Sequence, residues 1–186
     1  VQGLGQLIFN ANGYTGNFNA TALGNSAALS LLADGNGSAV AENISLPGLV
    51  QFDAGIIPNL TVGRAGGTLP RNQAINKTIS TGLISNLGLG LTLTNNNNYG
   101  LLTNQAFTVG ANATYSVSGA SIHNLTQGLT FGGKVSGVGF TKTGDGTLVL
   151  ADATNDFTGN VVVQRGVLSI SADGQLGNAA NRVVLT

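Results

Sequence analysis

The 186-residue chain has no cysteine, no methionine, no tryptophan and a single histidine, His123. Without cysteine, neither a disulfide nor a thiolate metal site can form. One histidine excludes the multi-histidine sites that commonly hold zinc. Because translation begins with methionine, we expect the chain to start downstream of another segment.

Charge is equally scarce, since charged residues make up 8% of the chain and the formal net charge is zero. Nucleic-acid binding requires a basic surface, so no nucleic-acid partner is expected. No apolar run approaches the ~20 residues of a membrane-spanning helix, so we expect no membrane span in this segment. Hydrophobic residues reach 42%, which favours a folded chain over a disordered one.

Long helices are disfavoured, because glycine and asparagine are abundant while lysine and glutamate are few. Apolar residues instead alternate: Leu148 and Leu150 flank Val149, and Val161 and Val163 flank Val162. A period of two is typical of strands with one buried face.

The chain nearly repeats itself at its two ends. Residues 3–7 are echoed by residues 144–148, and residues 12–17 by residues 155–160. We place repeat copies at about residues 3–46 and 137–186, with a partial copy at about residues 85–100. Such repetition predicts one continuous domain, residues 1–186, built by stacking similar units.

The spacing of the apolar pairs predicts the geometry of that stack. The pairs recur at steps of 20 to 22 residues, as in Leu148 and Leu168, Val163 and Val183, and Leu7 and Leu29. Such a step predicts a parallel β-solenoid of about eight coils, in preference to a β-sandwich. All three prolines lie in an irregular segment, about residues 47–73, where we expect a longer corner or a side loop.

A family resemblance rests on residues 137–150, with the sequence GVGFTKTGDGTLVL, followed by residues 157–159 and 166–168. This order of motifs resembles the autotransporter-associated β-strand repeat, also called the passenger-associated transport repeat. The resemblance implies an all-β, right-handed parallel β-helix in a bacterial type V-like passenger segment. The motif positions expected to be structural are Gly3, Gly5, Leu7, Tyr14, Gly16, Gly144, Gly146, Leu148, Leu150, Phe157 and Gly159.

Residues suited to catalysis are sparse. Asp152 and Asp156 have the spacing to face each other across one corner, as a glycosidase pair or a calcium site requires. A solvated Asn/Asp turn is the interpretation we favour, and we expect His123 to face solvent or a corner. The sequence thus predicts no catalytic, cofactor or metal site, and no enzyme.

Seven Asn-x-Ser/Thr sequences are candidate N-glycosylation sites. Asparagine-lined strand faces and corners are the other interpretation. The seven residues are Asn19, Asn36, Asn43, Asn59, Asn76, Asn112 and Asn124.

We therefore expect a non-enzymatic structural protein, extracellular or on the bacterial cell surface: a β-helical passenger stalk or adhesin segment of a larger secreted protein. One alternative is a repeating subunit of an extracellular filament or sheath stacked head to tail, because residue 186 leads in phase into residue 1. Another is a β-helix that binds or cleaves polysaccharide. The expected partners are adjacent coils of the same chain or identical subunits end to end, and surface glycans.

Overall fold

A computed structural model describes residues 6–12, 16, 19–23, 28–66, 75–118 and 128–186. In this part of the chain, sixteen strands and two short 3₁₀ helices, Leu87–Leu89 and Asp173–Leu176, account for the regular structure. No described helix is long and apolar enough to cross a membrane. The strands are β1 Gln6–Asn10, β2 Ala20–Leu23, β3 Ala28–Leu32, β4 Glu42–Phe52, β5 Asn59–Gly63, β6 Lys77–Ile84, β7 Gly90–Asn95, β8 Gly100–Thr103, β9 Phe107–Val109, β10 Thr114–Ser118, β11 Gly128–Phe131, β12 Val135–Thr143, β13 Thr147–Leu150, β14 Thr158–Val163, β15 Val167–Ser169 and β16 Val183–Leu185.

The strands form two parallel sheets. The first has the order β1-β3-β5-β7-β10-β12-β14-β16, with β9 paired to the first part of β12. The second has the order β15-β13-β11-β8-β6-β4-β2. Because each coil adds one strand to each sheet, the chain is a parallel β-helix, and the predicted fold class is confirmed. The number of coils in the whole chain stays a prediction.

Apolar side chains stack in rows inside the helix. In the first sheet, Leu29, Leu60, Leu93 and Val117 follow one another in register, and all four are fully buried. The strand period of two sends the next residues outward, which places hydroxyls on the outer face. That outer row contains Ser30, Thr61, Thr94 and Ser118.

Aromatic rings fill the interior beside these rows. Tyr115 packs edge to face on Phe107, Phe131 and Phe140, with ring centroids 5.1 to 6.3 Å apart. Phe157 continues the series, 5.6 Å from Phe140. Such pairs contribute about 1 kcal/mol each beyond the area they bury.

The predicted step of 20 to 22 residues holds for several pairs of strands, including β6 and β8 in the middle of the chain, where Ile79 pairs with Leu101. Leu7 pairs with Leu29 and Leu148 with Leu168, as predicted. The predicted match of Val163 with Val183 is wrong by two residues, because β14 pairs Val161 with Val183. Other pairs of strands have a longer step, which reaches 35 residues between Glu42 and Lys77.

Part of the segment predicted to be irregular is strand. β4 continues through Pro47 to Phe52, and β5 begins at Asn59. The register of β4 against β6 shifts between Leu46 and Leu49, so Pro47 sits at a bulge, where a missing backbone donor is tolerated. Residues 67–74, within which Pro70 falls, lie outside the described part.

Candidate functional site: the repeat motif and two buried lysines

The repeat motif at residues 137–150 forms the corner from β12 to β13. Gly144 has φ +74°, and a Cβ there would lie 2.3 Å from the carbonyl oxygen of Val117 in the preceding coil. The Gly146 N–H donates to that same oxygen at 2.8 Å. The glycines thus let one corner rest directly on the backbone of its neighbour.

In the C-terminal copy, leucine and phenylalanine at the other motif positions face the interior. Leu148, Leu150 and Phe157 are fully buried. In the N-terminal copy, Leu7 is exposed on β1, and Gly16 lies in a bend. Gly3, Gly5 and Tyr14 lie outside the described residues.

Lys142, in the middle of the motif, points into the β-helix. It stacks in register between Tyr115 and Val163 and is 0% exposed. Its Nζ donates to the carbonyl oxygens of Thr143 at 2.6 Å, Gly144 at 2.7 Å and Arg165 at 3.0 Å. Burial lowers the pKa of this amine to about 8, against an opposing effect of Asp145. The side chain ties its own corner to the corner of the next coil.

Lys77, at the start of β6, is the second fully buried lysine. Its Nζ lies 3.1 Å from Oε2 of Glu42, its register partner on β4. The same Nζ donates to Oδ1 of Asn36 at 2.8 Å and to the carbonyl oxygen of Val40 at 2.7 Å. Unlike Lys142, this lysine has a carboxylate and a carboxamide as partners.

The loop between β3 and β4, together with the first residue of β4, supplies those partners in a fixed arrangement. Oδ1 of Asn36 also accepts from the N–H of Ser38 at 3.0 Å and its hydroxyl at 2.8 Å. Oε2 of Glu42 accepts from the N–H of Asn36 at 2.8 Å. This bond, followed by that from Lys77, holds the pKa of Glu42 below its ordinary value.

Gly35 makes room for this carboxylate. Its φ is +58°, and a Cβ there would lie 2.3 Å from Oε2 of Glu42. A side chain at this position would both strain the backbone and displace the carboxylate.

A third polar cluster lies at the start of the same loop between β3 and β4, around Asp34. Asp34 is buried, accepts from Nδ2 of Asn12 at 2.7 Å and lies 3.6 Å from Nε of Arg64. The hydroxyl of Tyr99 donates to the neighbouring carbonyl of Ala33. Burial, reinforced by Asp34, raises the pKa of Tyr99. The cluster cross-links coils inside the structure.

Asp152 and Asp156 have separate local partners. Asp152 accepts from the N–H of Thr154 at 2.7 Å and its hydroxyl at 2.6 Å, which hold its pKa low. Asp156 pairs with Lys134 at 2.6 Å, which lowers its pKa likewise. Within the described residues, no three potential metal ligands of the His, Cys, Asp or Glu type come together. His123 lies outside those residues.

Six of the seven candidate glycosylation residues are described, and all reach the surface. Asn76 is half-buried and the others are exposed. Asn76 and Asn112 have φ of 58° and 63°, a left-handed conformation that asparagine tolerates at turns. Asn124 lies outside the described residues. Whether any of them carries a glycan stays a prediction. The five exposed residues are Asn19, Asn36, Asn43, Asn59 and Asn112.

Sequence reasoning missed both buried lysines, although the strand period contains a signal for them. Lys142 follows the inward-facing Phe140 by two residues, and Lys77 precedes the inward-facing Ile79 by two. A period of two therefore places both side chains inside. No sequence signal indicated that Asn36 would meet Lys77, which lies 41 residues further on.

Comparison with known proteins places this geometry in context. Residues 140–170 match the model of the passenger-associated transport repeat. Over 47 residues the chain is 49% identical to the adhesin BmaC autotransporter of Brucella suis biovar 1 (strain 1330), a match that covers 25% of the chain. The matched part amounts to 1% of that relative's length. No solved structure matches the chain.

Proposed function

Since the chain carries the repeat of autotransporter passengers at residues 140–170, we propose that it is a structural segment of a longer bacterial surface protein. In this role it is a β-helical stalk or adhesin segment without enzymatic activity, secreted or held at the cell surface. The observation that carries the proposal is the position of the repeat within a parallel β-helix. There its glycines and its lysine join one coil to the next.

The form of the molecule supports a stalk. In a parallel β-helix each coil adds about 4.8 Å along the axis, and apolar rows continue through successive strands. Such a stack lengthens by adding coils without changing its cross-section. A segment of this kind spans distance and presents its corners to the surroundings.

The named relative supports an adhesive setting. It is called an adhesin, and the short match lends that role to this chain only as a proposal. Surface glycans are the partners we propose, because the outer rows are rich in hydroxyl and amide side chains and poor in charge.

The proposal is tested by locating the segment on intact cells. An epitope inserted at the exposed turn of Asp53 to Gly55 should be reached by antibody and removed by added protease without lysis. A periplasmic marker protein that survives the same protease is the control. An epitope reached only after lysis would contradict the proposal. Purified chain should then bind glycan-bearing host cells, and loss of this binding after glycan removal would favour an adhesin over a stalk.

A filament subunit is the second candidate, and the edge strand β16 favours it. Val183 and Leu185 on this strand are 39% and 77% exposed. The N–H of Thr186 and the carbonyl of Arg182 bond to β14, so the backbone groups of Val183 and Leu185 point to the open side. Unpaired edges accept further strands.

Electron microscopy of concentrated chain tests the filament. Head-to-tail stacking predicts fibres. Leu185→Pro should abolish them, because proline removes the backbone N–H that points away from β14 and leaves the hydrogen bonds to β14 in place. Val184→Ala, on the same strand, is the matched control. A monomer at every concentration would eliminate this candidate and leave the stalk unaffected.

A further inference from the structure

Lys77, Asn36 and Glu42 combine an amine, a carboxamide and a carboxylate in direct contact. The amine is fully buried, and Glu42 lies 3.1 Å away. The chain has no cysteine, so a disulfide cannot fasten one coil to another. These three side chains offer a different covalent link.

The amine lies within reach of the amide carbon. Nζ of Lys77 is 2.8 Å from Oδ1 of Asn36. The carbonyl bond adds about 1.2 Å, so Nζ is at most about 4.0 Å from Cγ. This approaches the separation of about 3 to 3.5 Å from which positioned groups react.

We propose that Lys77 and Asn36 join in an intramolecular isopeptide bond, with Glu42 carrying the proton. The Lys77 ammonium first gives a proton to Oε2 of Glu42. The neutral Nζ then attacks Cγ of Asn36, forming the new C–N bond. Glu42 returns its proton to Nδ2, and the second proton lost by Nζ follows, so that Nδ2 leaves as ammonium. Carboxamide and alkylammonium thus become a secondary amide and ammonium, with no oxidant or cofactor.

The surroundings stabilise the charge that develops on Oδ1. The N–H and hydroxyl of Ser38 already donate to this atom at 3.0 and 2.8 Å. Such fixed donors act as an oxyanion hole for the tetrahedral intermediate. The carbonyl of Val40 holds Nζ from another side at 2.7 Å. The donors from Ser38 also fix the orientation of the amide, because its NH₂ group would meet them as a second donor.

The leaving group has a way out. Asn36 is exposed as a residue, and Glu42 also lines a surface groove of about 430 Å³ on the second sheet. Ammonium formed at Nδ2 is therefore released to water. Lys142 has no such chemistry, because its three partners are backbone carbonyls.

The bond would fasten the loop after β3 to the start of β6. The two residues are 41 apart in sequence. The β4–β6 pairing, with Glu42 opposite Lys77, already brings the two segments together. Among the paired strands of the described helix, β4 and β6 are separated by the longest step in sequence. A covalent bond at this place would keep mechanical force from opening that step.

Intact mass of the folded, purified chain tests the proposal. The expected mass is lower than that of the sequence by about 17 Da, the mass of ammonia. Trypsin should then fail to cleave after Lys77, and a branched product should join the peptide containing Asn36 to that containing Lys77. Chain kept in urea from synthesis onward should have the full mass and lose ammonia only on refolding.

Two variants, Lys77→Arg and Asn36→Ala, should retain the full mass. Glu42→Gln preserves shape, and its bond formation should slow about 10²-fold, as expected on loss of a proton carrier. Lys134→Met, which changes a surface lysine, should form the bond normally. Circular dichroism of each variant verifies folding, and Glu42→Gln and Lys134→Met keep the test decisive if Lys77→Arg does not fold.

Two outcomes would overturn the proposal. One is a folded chain that keeps its full mass after prolonged incubation at neutral pH. The other is a loss of about 17 Da that persists in Lys77→Arg and is confined to the peptide with Asn36. That pattern would identify a succinimide between Asn36 and Gly37, which needs no lysine.

Discussion

At the scale of single residues, the two buried lysines show how an all-β interior accommodates positive charge. A buried ammonium is costly unless its donors are all satisfied. Lys142 meets three backbone carbonyls, whereas Lys77 meets a carboxylate, a carboxamide and one carbonyl. The first arrangement stabilises a corner through hydrogen bonds alone, and the second adds reactive groups.

Replacing Lys142 by methionine should destabilise the chain. The carbonyls of Thr143, Gly144 and Arg165 would lose their shared donor inside the protein. We expect the free energy of unfolding to fall by about 2 to 4 kcal/mol. Urea denaturation measures the change. Lys134→Met removes only a surface ion pair and should cost less than about 1 kcal/mol; equal losses in the two variants would refute the role of the carbonyl cap.

Stability should also depend on pH through Lys142. Its pKa is about 8 in the folded chain against an ordinary 10.5. Between these values the unfolded chain binds a proton that the folded chain has released, so the free energy of unfolding rises with pH. Below pH 8 the cost of the buried charge is fully present.

The pH effect is isolated by comparing wild type with Lys142→Met from about pH 7 to pH 10. Tyr99 and Tyr115 have raised pKa values, which act in the opposite sense above pH 10 but equally in both proteins. The stability of the wild type should therefore rise relative to that of the variant. If the difference in the free energy of unfolding between the two proteins does not change with pH, the Lys142 amine keeps its proton over the whole range, held by the three carbonyls.

At the scale of elements, corners and strands differ in how far the sequence predicts them. Strict alternation predicts β13, β14 and β15, and it predicts the pairing of Leu148 with Leu168. The longer steps between paired strands are not predicted from the sequence. Pairing depends on the stacked side chains, so residues added at a corner lengthen the step without changing the pattern of the strands. The bulge at Pro47 was not predicted either, because proline usually interrupts a strand.

The candidate site follows a similar division. Strand period places Lys77 and Lys142 inside, because both are in phase with buried neighbours. The contact of Lys77 with Asn36 depends on the path of the loop between β3 and β4, which periodicity does not encode. The family resemblance predicts the motif glycines. The reason that glycine is required there, the close approach of neighbouring coils, is visible only in the structure.

A glycine at a corner should matter more than one in open space. In Gly144→Ala the new Cβ would lie 2.3 Å from the carbonyl of Val117 at φ +74°. Gly55 has a similar φ of +81° but nothing near a Cβ. We expect Gly55→Ala to cost about 1 kcal/mol from backbone strain alone, and Gly144→Ala at least about 3 kcal/mol from strain and displaced backbone. Thermal denaturation of both variants tests this, and similar losses would mean that the coils can move apart.

At the scale of the whole molecule, the β-helix is a one-dimensional stack in which each coil contacts mainly its neighbours. Stability in such a stack is a sum of local terms and contacts between adjacent units. Strands with neighbours on both sides should therefore open less often than an edge strand.

Hydrogen exchange should reveal this gradient. Backbone amides of β7 and β10, which are central in the first sheet, should exchange slowest. Those of β16, paired only with β14 in the described structure, should exchange fastest. Mass spectrometry of peptides after timed exchange provides the measurement. Equal protection of all three strands would indicate that the chain unfolds as a single unit.

The variable step between stacked strands, 19 residues from Gly128 to Thr147 and 35 from Glu42 to Lys77, separates what must stay constant from what is free to change. The interior requires only that an apolar residue return to its row, whatever the length of chain between. The corners can therefore vary in length and sequence while the stacked strands stay the same. A surface protein built this way can alter what its surroundings meet, one loop at a time, while the fold that presents those loops is inherited intact.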